Sequence, residues 1–173
     1  MNLRVAGLQK ESIVDGPGVR MTIFFQGCSH RCPGCHNPET HDSGGGTKIS
    51  VHQLLKQIKV LESIDGITLS GGEPFEQPEA AAALASGIVS FGMNLVIYSG
   101  YTFEQLISGC KENPPVRRLL ELGWLLIDGP FLEAQQDLCL PFRGSRNQRI
   151  IDLSRSMKSE APVEWAVYEQ TVY

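Results

Sequence analysis

The stretch MTIFFQGCSHRCPGCHN, Met21 to Asn37, runs from a five-residue apolar segment straight into a loop carrying three cysteines and two histidines. Its apolar residues follow one another with little alternation, the pattern of a strand covered on both faces. Four later runs resemble it: ITLS at 67–70, LVIYS at 95–99, WLLID at 124–128 and RIIDL at 149–153. Helical patterns lie between the runs. One sets Val51, Leu54, Leu55, Ile58 and Leu61 on a single face; Ser50 and Gln53 precede it at capping-box spacing, with Ile49 and Leu54 spaced as a hydrophobic staple. A second opens at Pro78, turns Leu84, Ile88 and Phe91 inward and stops at Gly92. A third starts with Thr102 and Gln105, again at capping-box spacing, and a short fourth covers about Val116 to Leu122.

Strand alternating with helix implies parallel strands joined by right-handed crossovers. A complete eight-unit barrel takes about 250 residues. The 173 residues here therefore predict an α/β fold in the form of a partial, open β/α barrel, a single domain over 1–173. The early strands each end in a polar or glycine-rich segment: FFQGCSHRC, TLSGGEP, VIYSGYT and LIDGPF. In a parallel sheet such segments emerge at the same carboxyl edge, where ligand sites of open α/β folds are built. The cysteines, the glycine turn, Ser99 and Asp128 are expected to face one pocket.

Composition narrows the function. Hydrophobic residues make up 42% and charged residues 20%, with a formal charge of −4, so no broad basic surface awaits nucleic acid. No run approaches the roughly 18 apolar residues of a membrane span, and MNLRVAGLQKES lacks the apolar core of a secretory signal. A cytoplasmic protein is expected. Thiols stay reduced there, so a cysteine cluster points to metal or catalysis. Cys110 and Cys139 stand apart and read as small buried residues. SGGG at 43–46 reads as a flexible loop, and no internal repeat is visible.

Cys28, Cys32 and Cys35 are separated by three and then two residues, which lets three thiolates reach one inorganic centre. One reading is a structural zinc knot completed by His30, His36 or His41. Structural zinc sites generally draw on two separated ligand pairs, and no second pair occurs in this chain. The other reading is an iron–sulfur cluster with one iron lacking a protein ligand and therefore open to a small molecule, which the spacing favours. His30 and His41 are read as solvent-exposed loop residues. SGGEP, Ser70 to Pro74, is too short for a dinucleotide or P-loop fingerprint. Its adjacent glycines allow close approach of backbone to a ligand, and Glu73 offers a carboxylate to an ammonium group; otherwise it is a tight turn with a surface acid.

Taken together these residues resemble the radical S-adenosylmethionine superfamily. Within it the chain is most similar to activating enzymes of anaerobic (class III) ribonucleotide reductases, through ESIVDGPGVRMTIFFQGCSHRCPGCHNPET, LSGGEPF, YSGYT, LLIDGPF and LPFRGSRNQRIIDL, from about Lys10 to Leu153. The resemblance implies a radical SAM-type barrel and a 4Fe-4S cluster held by Cys28, Cys32 and Cys35. It also implies that S-adenosylmethionine is cleaved to a 5′-deoxyadenosyl radical that takes hydrogen from a glycine of the reductase large subunit. Gly34 and His36 would lie beside the open iron. Ser70, Gly71, Gly72 and Glu73 would hold the methionyl part, with Ser99 and Asp128 as candidates for the ribose or ammonium group. No catalytic side chain is implied beyond cluster and cofactor. A flavodoxin or ferredoxin would serve as one-electron donor. Other glycyl-radical activases, radical enzymes acting on small molecules or peptides, and a zinc module remain alternatives. Arg143, Arg146 and Arg149 are candidates for contact with the reductase or ligand; the segment from about 154 to 173 has no assigned role, but Trp165, Val167 and Tyr168 are read as packing.

Overall fold

The computed structural model describes residues 1–166. Seven strands form one open sheet: β1 (Asn2–Ser12), β2 (Arg20–Phe25), β3 (Thr47–Ser50), β4 (Gly66–Gly71), β5 (Asn94–Tyr98), β6 (Leu125–Asp128) and β7 (Arg149–Asp152), in the order β3-β1-β2-β4-β5-β6-β7. The four central strands, β2, β4, β5 and β6, are parallel. The flanks are antiparallel, β1 with β2 and β3 on one side and β7 with β6 on the other.

All five apolar runs are therefore strands, but the last departs from the expected direction. No helix lies between β6 and β7, only a long loop with a short 3₁₀ turn at Glu133–Gln135, so the chain returns antiparallel. A parallel return needs a crossover that this segment does not contain. β1 and β3 were not expected from the sequence. Most of β1 is exposed or half-buried, and its ladders to β2 and β3 supply what its composition does not advertise.

The helices are α1 (Val51–Lys59), α2 (Pro78–Ser90), α3 (Phe103–Gly109), α4 (Pro114–Leu122) and α5 (Leu153–Ser159). Both anticipated capping boxes are present: Ser50 and Gln53 close the start of α1, Thr102 and Gln105 that of α3. Each satisfies backbone N–H groups that a helix start otherwise leaves open. α2 packs between α1 and α4. Gly87 makes room for α1: a methyl there would lie 2.4 Å from the Leu55 side chain. Leu84 and Ile88 are fully buried from α2, each contributing on the order of 1.5–3 kcal/mol by area removed from water. Phe91, expected inward, is 36% exposed. It is the residue after the last helical turn, so the helical face no longer sets its direction.

The chain beyond β7 packs where the sequence assigned nothing. Asp152 caps α5 by accepting from Arg155 N at 3.0 Å. Glu164 bridges Ile151, and the Trp165 ring meets Trp124 edge-on at 5.7 Å. Val167 and Tyr168, also read as packing, lie outside the described residues. Cys110 is buried as expected, whereas Cys139 is exposed on the β6–β7 loop. Among the described residues no helix is long and apolar enough to cross a membrane.

Candidate metal and ligand site

The loop after β2 is pinched at its neck. Gly27 N donates to Thr40 O at 2.8 Å and Cys28 N to His41 O at 3.3 Å. The Gln26 amide donates to Glu39 O and Asp42 O at 3.0 and 2.6 Å. The cysteines thus sit on a loop closed at its neck by backbone bonds and by the Gln26 side chain. Inside it, Cys35 N donates to Cys32 O at 3.1 Å and Asn37 N to the Cys35 sulfur at 3.4 Å. Gly34 has φ +71°, and a methyl there would meet Glu133 and Phe131 at 3.1–3.2 Å, so the turn before the third cysteine requires glycine. His30 and His41, expected in solvent, are both half-buried.

The glycine turn is stitched to the same strand end. Gly72 N donates to Phe25 O and Glu73 N to Gly27 O, each at 2.8 Å. Gly71 has φ +87°, and a methyl on Gly72 would fall 2.3 Å from Gly27 O. Backbone of one loop lies directly on backbone of the other, which is why side chains are absent here.

Glu73, read from sequence as a possible surface acid, is fully buried. Its carboxylate accepts from Phe75 N at 3.0 Å, from Ser99 Oγ at 3.0–3.1 Å and from Gly100 N at 2.9 Å. His30 Nε2 lies 3.2 Å from Oε2, an ion-pair contact in which the ring N–H is not aligned for a hydrogen bond. Glu73 raises the His30 pKa above its ordinary value, over the opposing effect of burial.

A cavity of about 450 Å³ opens between these loops, within the usual range of about 300–1,000 Å³ for small-molecule sites. Cys28, Cys32, Cys35, His36, Ser70, Gly71, Gly72, Glu73 and Ser99 all line it, together with His30. Three free thiols on one wall fit an inorganic centre by their chemistry. Burial pushes the Cys28 thiol up. Among the described residues, no three Cys, His, Asp or Glu side chains are gathered closely enough to hold a lone metal ion.

Two expected residues do not line the cavity. Gly34 shapes the loop from outside it. Asp128 is turned under α3: its buried carboxylate accepts from Phe103 N at 2.7 Å and is gripped by the Arg149 guanidinium. Arg149 also binds Glu104, so its charge is spent within the fold; its two carboxylate partners raise its pKa, and it holds the Glu104 carboxyl down at about 2. Arg143 donates to Gln148 O at 3.3 Å, while Arg146 is 71% exposed and pairs with Asp137 at 3.0 Å.

Several lining residues escaped the sequence reading. Gly129, Phe131, Gly144 and Gln148 form a wall on which the RGSRNQ and DGPF segments meet. The Gln148 amide ties them, donating to Gly129 O at 3.1 Å and accepting from Gly144 N at 2.9 Å. Both segments stood out as motifs, but nothing local showed that they touch. Val14 and Asp15 also line the cavity, although they precede β2. Their loop folds back over the sheet: Asp15 accepts from Thr22 Oγ1 at 2.9 Å and Thr68 Oγ1 at 2.8 Å. Fully buried Arg20 anchors the same loop through Pro17 O, Thr68 Oγ1 and Ile67 O; burial lowers its pKa to about 10.

Residues 14–151 match the family described as "4Fe-4S single cluster domain". The chain is 32% identical over 145 residues to the anaerobic ribonucleoside-triphosphate reductase-activating protein of Escherichia coli (strain K12), covering 79% of this chain and 90% of that protein. It is 42% identical over 81 residues to the pyruvate formate-lyase-activating enzyme of Clostridium pasteurianum, covering 44% and 34% respectively. To the pyruvate formate-lyase-activating enzyme of Listeria monocytogenes (serovar 1/2a) it is 31% identical over 173 residues, covering 94% of this chain and 66% of that enzyme. The chain thus spans about a third of the Clostridium enzyme but nearly all of the Escherichia protein.

Proposed function

Because the chain belongs to the 4Fe-4S single cluster domain family and to that of the anaerobic ribonucleoside-triphosphate reductase-activating proteins, we propose that it is an activase that installs a glycyl radical on such a reductase. The observation that carries this reading is the convergence of three free thiols and the SGGEP turn on one cavity. Coverage of 90% of the reductase activator, against 34% and 66% of the two pyruvate formate-lyase activators, supports the reductase as partner.

In this reading Cys28, Cys32 and Cys35 hold a 4Fe-4S cluster, and Ser70, Gly71, Gly72 and Glu73 receive the methionyl part of S-adenosylmethionine. Together the two groups, when bound, supply a one-electron cleavage of the sulfonium that yields a hydrogen-abstracting radical. The chain's own residues bind, orient and exclude water. The Asn37 N–H donates to the Cys35 sulfur and fixes its direction at the cavity wall. Close backbone contact at Gly72 leaves the ligand turn little freedom to move away from the cysteine loop. Ser99 serves by orienting Glu73, and Asp128 by anchoring α3. Gly34 places the third cysteine, and the His36 ring, 5.0 Å from that of Phe131, forms part of the cavity wall. No side chain has to move a proton. The parallel strands β2, β4, β5 and β6 would form the partial barrel of a radical SAM enzyme. A flavodoxin- or ferredoxin-like donor and a cytoplasmic setting complete the proposal.

Anaerobic reconstitution tests it. A brown protein with broad absorption near about 400 nm, which forms an electron-paramagnetic glycyl radical on the reductase given reductant and S-adenosylmethionine, is the expected result. A colourless protein with stoichiometric zinc, or a loaded protein that leaves the reductase without a radical, overturns it.

A further inference from the structure

Glu73 has the geometry of a fastening point. A carboxylate offers about four lone-pair directions; here Phe75 N, Ser99 Oγ and Gly100 N donate to it, and His30 Nε2 stands 3.2 Å from Oε2 as an ion-pair contact. These groups come from the glycine turn itself, the loop after β5 and the cysteine loop. One acceptor direction is left for a ligand ammonium, and the three donors and the ring fix where it points.

His30 is the middle residue of the interval between Cys28 and Cys32, and it alone of the three points inward: Ser29 and Arg31 are exposed. Its ring is held from two sides. Tyr101 meets it edge-on at 4.4 Å, and Gly100 lies so close beneath it that a methyl there would fall 2.5 Å from the ring. Next to it, Ser29 N and Oγ both donate to Glu76, at 2.7 and 2.6 Å, so the loop is fastened twice to the segment that follows the glycine turn. Arg31 is left-handed at φ +46°, a conformation that costs a non-glycine residue roughly 1–2 kcal/mol. The contacts of His30 and Ser29 offset that cost.

We infer that His30 and Glu73 form a clasp that holds the cysteine loop in register with the ligand-binding turn. His30 is thereby a positioning residue that acts through Glu73 and the loops which that carboxylate joins. The inference rests on the proposed cluster and S-adenosylmethionine site. It goes beyond it in assigning His30 a role and in making Glu73 a joint.

The test measures S-adenosylmethionine dissociation constants on anaerobically reconstituted full-length protein, with iron content and the change in the reduced cluster's paramagnetic spectrum on ligand addition. His30→Phe keeps the packing on Tyr101 and removes the ring nitrogen that faces Glu73. It should retain parental iron, weaken ligand binding about tenfold and blunt the spectral change. His30→Gln, which keeps a polar nitrogen facing Glu73, should stay within about threefold of the parent. In a Glu73→Gln background, His30→Phe should add less than about threefold, because the clasp is already open. Parental affinity and spectrum in His30→Phe overturn the clasp, and so do losses that multiply in the double variant, since Glu73 would then act independently of His30. Should His30→Phe lose iron, Gly100→Ala decides instead: it pushes the ring aside without removing it, and parental affinity there overturns the clasp. A parent protein that holds no cluster or binds no S-adenosylmethionine refutes the functional reading itself, a result distinct from all of these.

Discussion

Gly72→Ala tests whether the glycine turn and the cysteine loop form one backbone-to-backbone unit. The added methyl would sit 2.3 Å from Gly27 O and 3.0 Å from both Gly27 C and Phe25 O. An ordinary carbon–oxygen contact is about 3.3 Å or more, so the overlap with Gly27 O is about 1 Å, and no side-chain rotation relieves it. The chain must open the bonds Gly72 N to Phe25 O and Glu73 N to Gly27 O, both 2.8 Å. Two lost bonds at about 1 kcal/mol each, with about 1–3 kcal/mol for overpacking, give a destabilisation of about 3–5 kcal/mol. Against a typical stability of about 5–15 kcal/mol that is a large fraction. Urea unfolding of the metal-free, reduced protein measures it. With a slope of about 2 kcal/mol per molar, the midpoint should fall by about 1.5–2.5 M. Gly7→Ala, where a methyl meets nothing within 4 Å, should shift stability by less than about 0.5 kcal/mol. A Gly72→Ala midpoint within the spread of Gly7→Ala would refute the reasoning.

Cys32→Ala is expected to abolish iron binding on reconstitution while exposed Cys139→Ala retains it; equal iron loss in both would mean a different ligand set. Arg149 depresses Glu104 to about 2 from an ordinary 4.5, so this pair's contribution to stability is complete above about pH 4.5 and is lost as pH falls toward 2. Glu104→Gln should therefore make the acid limb of the stability–pH curve shallower between those values. The pair is largely exposed, so the change is modest, and an unaltered limb would argue against the contact. Arg146, exposed and paired only with Asp137 among the described contacts, is expected on Arg146→Ala to lower reductase activation while leaving S-adenosylmethionine affinity at the parental value. Loss of ligand affinity in that variant would place the arginine at the cavity instead.

Much of the site was legible because its signals are local. A run of apolar residues reports burial on both faces, and a strand end followed by cysteines or paired glycines reports where a ligand can approach backbone. Capping boxes at Ser50 and Thr102 likewise need only four residues of sequence to be read. Asp128 shows where this reasoning stops. At a strand end beside glycine it looks like a ligand contact, yet Arg149, 21 residues later, claims its carboxylate. Nothing within either segment shows the other nearby.

The sequence by itself determined five of the seven strands, the starts of α1, α2 and α3, the three-cysteine loop and its convergence with SGGEP at one sheet edge. All follow from local periodicity, caps and the common direction of strands linked by helices. Tertiary structure alone decided that β7 runs antiparallel and that β1 and β3 join the sheet. It alone brought Asp15 and Gln148 to the cavity and fastened His30 to Glu73. Periodicity reports how deeply a residue is buried. Which partner it meets depends on chain direction and loop closure across tens of residues, and that is settled only when all the loops compete for the same space.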